Sequence, residues 1–162
     1  MFANLRNKAL VLLALCLAPA VGLCATSCSV AIGNLPFGSY DVFSLVNLDS
    51  TGQMVVTCRR AGGPTNSTLA ITIGASASSG LIANRRLQRV SGGDFLRYNL
   101  FRDSARTVVW GNTAGVDTLV QTVNVPNNGS AQVSATIFGR IPASQDVRTG
   151  IYTDSVMITV TP

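Results

Sequence analysis

Few residues in this chain are suited to covalent or acid–base chemistry. Histidine is absent, which removes Ser-His-Asp and Cys-His arrangements and any imidazole metal site. All seven acidic residues are aspartates. Asp94, Asp103 and Asp154 could act as paired carboxylates in a hydrolase only if the fold brought them together. Scattered aspartates more often cap turns and solvate loops. Of the four cysteines, Cys28 and Cys58 do not form the Cys-x-x-Cys of a redox pair, so a structural bridge is the expected use. No catalytic, cofactor or metal-binding residue is therefore expected, and the protein is expected not to be an enzyme.

Binding chemistry is similarly sparse. Arg85, Arg86 and Arg89 form one local basic cluster, but the remaining arginines are spread along the chain and not interleaved with exposed aromatics. That pattern does not suggest nucleic acid as a partner. The Gly-rich stretch Ser91-Gly92-Gly93 lacks the Lys-Ser/Thr and helix of a phosphate cradle and reads as a turn. Tyr98, Phe101 and Trp110 could form a ligand patch, although Tyr98 alternates with apolar neighbours and Trp110 reads as core or rim. Asn66-Ser67-Thr68 and Asn128-Gly129-Ser130 match the glycosylation pattern, which is common by chance.

The N-terminus reads as an export signal. Arg6 and Lys8 form a basic region, residues 9–17 an apolar one, and residues 18–25 a small-residue stretch of the kind a signal peptidase cuts. The apolar run is too short for a transmembrane helix, and no later run is long enough to span a bilayer. Cleavage after Ala25 leaves Cys28 and Cys58 as an even pair, as an oxidising compartment favours. Cleavage after Ala20 would leave Cys24 unpaired. The short box ending at Cys28 also faintly matches a lipidation signal, without its leading leucine. Removing Arg6 and Lys8 lowers the net charge from +5 to about +3. Residues 26–162 are enough for one domain with a real core.

That domain reads as strands separated by turn chemistry, with no amphipathic helix. Strands are expected over 29–32, 42–46, 53–58, 68–73, 95–101, 118–125, 131–138 and 151–161. Several alternate cleanly, as in Met54, Val56, Cys58 and in Leu69, Ile71, Ile73. Gly62-Gly63-Pro64, Ser78-Ser79-Gly80 and Asn127-Asn128-Gly129 punctuate them. Short strands at this spacing predict a β-sandwich. A Cys28–Cys58 bridge would close a loop of about 31 residues and add roughly 3 to 4 kcal/mol. The final stretch is read as one strand, with Tyr152, Val156, Ile158 and Val160 on one face. An apolar strand of this kind needs neighbours on both edges, and one is expected to be missing.

The ordered set Cys28, Phe37-Gly38-x-Tyr40, Val56-Thr57-Cys58, Tyr98-Asn99-Leu100-Phe101-Arg102-Asp103, Trp110-Gly111, Phe138-Gly139-Arg140-Ile141-Pro142 and Gly150-Ile151-Tyr152-Thr153-Asp154-Ser155-Val156 resembles the spore coat protein U domain family. That family includes subunits of archaic chaperone-usher pili. The resemblance spans essentially all of residues 26–162. It implies an all-β, incomplete immunoglobulin-like sandwich lacking its final strand, exported to the periplasm and then to a surface fibre. It also implies a periplasmic chaperone, an outer-membrane usher and a neighbouring pilin subunit as partners, the last donating a strand. On that basis Val156, Ile158 and Val160 are expected to line an acceptor groove, with Val30 and Ile32 of the first strand facing them. Only Thr26 and Ser27 would precede Cys28 after cleavage at Ala25, so the chain is expected to accept a strand and not donate one, as a terminal or minor subunit. The alternatives are a self-contained secreted binding module around Tyr98, Phe101 and Trp110, with 118–125 folded into the groove, or a coat component assembled without an usher.

Overall fold

The computed structural model describes residues 25–162, so the expected export signal lies, except for Ala25, outside the described residues. Nine strands carry the fold: β1 (Thr26–Ile32), β2 (Leu48–Arg60), β3 (Thr65–Ser76), β4 (Arg85–Arg89), β5 (Phe95–Phe101), β6 (Leu119–Val125), β7 (Ser130–Ile141), β8 (Tyr152–Thr153) and β9 (Val156–Thr161). They form two antiparallel sheets, a large one ordered β1-β2-β7-β5-β4-β8 and a small one ordered β6-β3-β9. No helix occurs among the described residues. The all-β sandwich expected from the sequence is the observed architecture.

Alternation builds the core. Met54, Val56 and Cys58 of β2, Leu69, Ile71 and Ile73 of β3, and Ala135, Ile137 and Ile141 of β7 are all buried, while their strand neighbours point outward. Each strand thus gives one face to the interior and one to solvent. Trp110 and Tyr98 complete the interior. The Trp110 Nε1 donates to the Ile71 carbonyl at 2.9 Å, so the indole is satisfied where it is buried.

Three expectations about elements are corrected. Residues 42–46 are not a strand but a turn. Asp41 accepts from the Phe43 and Ser44 amides through Oδ1 and its carbonyl, and the Ser44 Oγ accepts from the Val46 amide. These local bonds compete with a ladder, and Phe43, Leu45 and Val46 stand out in solvent. Residues 151–161 do not make one strand: β8 pairs with β4 in the large sheet, whereas β9 pairs with β3 in the small one. The chain changes sheets at Asp154-Ser155, and Tyr152 therefore does not share a sheet face with Val156. Finally, the arginine cluster at 85–89 is a strand, β4, placed between β5 and β8.

Two glycines let the segment after β1 settle on the large sheet. Leu35 and Phe37 lie over Gly139, where an added Cβ would come within 2.7 Å of both side chains, and Leu35 also covers Gly52. From there Phe37 meets Tyr98 edge-on, with ring centroids 5.8 Å apart. Tyr40 ties the same segment to the end of β7, its hydroxyl donating to the Pro142 carbonyl and accepting from the Gln145 amide. Gly139→Ala is accordingly expected to cost about 1–3 kcal/mol by overpacking. Chemical denaturation should read this as a lowered midpoint, and an unchanged midpoint would refute the tight fit.

Candidate functional site

The two strands expected to line a groove are both sheet edges. β1 pairs only with β2, and β9 only with β3. Among the described residues, no strand pairs with the outer edge of either. β1 and β9 nonetheless come close together across the sandwich. Residues 119–125 do not fill the space between them, because β6 occupies the opposite edge of the small sheet, beyond β3.

The register shows what lies exposed there. Val30 stands opposite Val56 and Ile32 opposite Met54. On the other side Ile158 stands opposite Ile73 and Val160 opposite Ile71. In each pair the inner residue is essentially fully buried, whereas Val30, Val156, Ile158 and Val160 are only half-buried and Ile32 is 46% exposed. β2 and β3 are each paired on both sides, whereas β1 and β9 are each paired on one. The five residues form two partly exposed apolar rows on two neighbouring edge strands.

The space is not uniformly wide. A strand paired to both edges would hold β1 and β9 about 9.5 Å apart, twice the ladder spacing. Some of their Cα atoms already lie within 8 Å. A strand paired along the whole length of both edges would require them to separate there.

Each wall is fixed from behind. On β1, Cys28 and Cys58 are joined by a disulfide, S–S 2.06 Å, between residues directly opposite each other in the β1–β2 ladder. On the other wall, the corner that launches β9 is held by polar contacts. Asp154 accepts from the Tyr98 hydroxyl at 2.6 Å and from the Ser78 amide and hydroxyl at 3.1 and 3.0 Å. Burial and the Asp154 contact push the Tyr98 phenol well above its ordinary pKa, so it remains a donor.

Arg85, which the sequence marks only as part of a basic cluster, stands beside this corner in a structural role. It is fully buried on β4, where its guanidinium donates to the carbonyls of Ile73, Gly74 and Trp110 and to the Asn99 Oδ1. The β3–β9 register shifts between Ile73 and Ser76. Arg85 thus receives carbonyls where the small sheet's ladder is interrupted. Burial lowers its pKa from the usual arginine range, yet guanidinium stays charged in proteins.

The remaining candidates do not assemble into a catalytic or ligand site. Tyr98 and Trp110 are buried in the core, as the alternation suggests, which leaves the alternative ligand patch only the partly exposed Phe101. Asp103 caps its own turn, accepting from the Thr107 and Val108 amides, and those bonds hold its carboxyl below the usual range. Asp94 faces Arg148. Asp49, which the sequence did not single out, accepts a two-point contact from Arg140, at 2.7 and 2.8 Å, which lowers its pKa. A separate cleft of about 620 Å³ lies between the 35–43 segment and the 147–152 loop. Among the described residues, no helix is long and apolar enough to cross a membrane.

Comparison with known proteins gives the same architecture. In the solved structures, the chain is similar to the chaperone–tip adhesion subunit pre-assembly complex, CsuC-CsuE, from the archaic chaperone-usher Csu pili of Acinetobacter baumannii. The TM-score is 0.52 at 18% identity, over 84% of this chain and 40% of that one. The chain thus spans well under half the length of that structure, and the likeness is one of fold. A weaker likeness, TM-score 0.39 and 16% identity, covers 82% of this chain and 79% of HdaB, the minor tip subunit of the E. coli Hda pilus. In sequence it is 31% identical over 150 residues to Protein U of Myxococcus xanthus, covering 86% of this chain and 78% of that protein. The Spore Coat Protein U domain model matches residues 16–159, and the chain belongs to that family.

Proposed function

We propose that this protein is an exported structural subunit of a surface fibre of the archaic chaperone-usher type, and that its activity is the acceptance of a β-strand between β1 and β9. The observation that carries this reading is the half-buried apolar row Val156, Ile158, Val160 beside the equally uncovered Val30 and Ile32. An exposed edge next to uncovered core residues invites aggregation unless another chain pairs with it. Strand addition satisfies both needs: main-chain bonds fill the edges, and alternate side chains fill the core. A periplasmic chaperone supplies such a strand in transit, and the next subunit supplies it after the outer-membrane usher. No acid–base residue is used, and the role is not enzymatic. The fold likeness to a subunit solved with its chaperone supports the partnership.

The rival reading, a self-contained binding module, is less well supported. Its groove-filling strand is placed elsewhere, and two of its three ligand aromatics are buried.

A face-specific pair of variants tests the proposal. Ile158→Ala removes a groove-facing side chain, whereas Met157→Ala removes its outward, 76% exposed neighbour on the same strand. With the cognate chaperone, Ile158→Ala is expected to weaken binding about tenfold, from the apolar area a bound strand no longer covers. Met157→Ala is expected to leave binding unchanged. Equal effects from both positions would count against the groove.

A further inference from the structure

The strand that forms one wall of the groove is poorly held by its own ladder. β9 has six residues and one paired neighbour, β3, and the β3–β9 register shifts between Ile73 and Ser76, next to where β9 begins at Val156. An edge strand with an interrupted ladder opens more readily than the interior of a sheet. Such a strand exposes the apolar row it should present in register.

What holds the start of β9 is the corner at Asp154-Ser155. The Ser155 carbonyl accepts from the Ala77 amide at 2.9 Å, and the Asp154 carboxylate accepts the two donors of Ser78. These contacts tie β9 only to the turn following β3, its own neighbour. The contact to Tyr98 differs in kind. Tyr98 lies on β5, flanked in the large sheet by β7 and β4, with its ring buried against Phe37. Its hydroxyl reaches Asp154 at 2.6 Å. Thr153, just before the corner, is paired with β4 at the margin of the large sheet, and the Tyr98 bond adds a side-chain link from the corner to that sheet's interior.

We propose that the Tyr98–Asp154 hydrogen bond is a positioning contact for strand acceptance, holding β9 at the groove while its outer edge has no partner. The proposal rests on the acceptor reading above. Once a strand is paired with β9 on its second side, ladder bonds hold it from both edges and the tether becomes redundant. The contact matters in the empty state and not in the filled one. A hydroxyl merely satisfied inside the core would matter equally in both.

Tyr98→Phe removes only the hydroxyl, and Asp154→Asn keeps an acceptor oxygen while removing the charge. Amide hydrogen exchange on the oxidised, processed protein, alone and with a synthetic twelve-residue peptide of alternating valine and threonine, reads the outcome. Without peptide, Tyr98→Phe is expected to raise exchange over 156–161 about ten- to a hundredfold, as loss of a bond to a charged group allows. Exchange over 54–58 and 135–141 is expected to stay as in the unaltered protein. Asp154→Asn should give the same regional pattern at smaller size. With saturating peptide, the excess over 156–161 should disappear. Unchanged exchange in 156–161, a uniform rise across all strands, or an excess that persists with peptide bound would each overturn the positioning role. If the unaltered protein shows no peptide protection along β1 and β9, the acceptor reading fails, and the positioning role fails with it.

Discussion

Arg85→Met is expected to lower the unfolding free energy by about 3–5 kcal/mol, because several buried acceptors lose their common donor at once. The methionine fills much of the same space but donates nothing. The carbonyls of Ile73, Gly74 and Trp110 and the Asn99 Oδ1 would lose their shared donor at the interrupted stretch of the small sheet. A carbonyl left unpaired in the core costs about 1–3 kcal/mol. Because these groups lie beside Tyr98 and the Asp154 corner, the loss should spread to β9 before it reaches the β2–β7 centre. Urea denaturation should show the midpoint fall with little change in slope. A loss below about 1 kcal/mol would mean that water replaces the guanidinium at no cost, contrary to the buried geometry.

Replacing both cysteines, Cys28→Ser with Cys58→Ser, is expected to cost about 3–4 kcal/mol in the chain-entropy model for a crosslink spanning 30 residues. The structural consequence is specific. Among the described residues, β1 is paired into the large sheet through β2 alone, and the bridge joins the two strands at Cys28–Cys58, near the start of β1. Without it, residues 26–32 should exchange their amides faster than any other strand except β8, and the acceptor edge formed by Val30 and Ile32 should lose definition. Comparing oxidised protein with the double variant, by denaturation and by exchange, measures both effects. Equal stability in the two forms would leave the bridge without the role assigned to it.

Both effects concern long-range contacts, and it was at such contacts that the sequence became hard to read. Alternation exposed β3, β5 and β7 directly, because each has a run of apolar residues at every second position with one face in the core. It misled at 42–46, where apolar residues also recur but Asp41 and Ser44 capture the backbone and send Phe43 and Leu45 into solvent. It was blind to β4, whose Arg85-Arg86-Leu87-Gln88-Arg89 carries charges on both faces, one of them buried by carbonyl acceptors from other strands. Period-two patterning also continues smoothly from Tyr152 to Val160, while the chain crosses between sheets at Asp154. A local pattern tells which face of a strand is apolar. It does not tell which sheet receives that face.

Val30, Ile32, Val156, Ile158 and Val160 were singled out from alternation together with a family resemblance, and they fall on two neighbouring free edges. The supports behind those edges were not foreseen. Tyr98 and Asp154 appear in the motifs as separate residues, 56 positions apart, and their meeting at 2.6 Å depends on the sheet crossing. The role of Arg85 depends on a register shift in β3 that the sequence does not mark.

The most direct test of the account compares the processed protein alone with the same protein bound to its cognate periplasmic chaperone, by solution size and thermal unfolding. Strand acceptance predicts that the free protein self-associates or melts at low temperature. It also predicts a one-to-one complex with the chaperone whose midpoint is higher by about 10 °C, as expected for a partner that binds only the folded state. A free protein that is monomeric, melts as high as any mixture with the chaperone and forms no complex would contradict the open groove between β1 and β9.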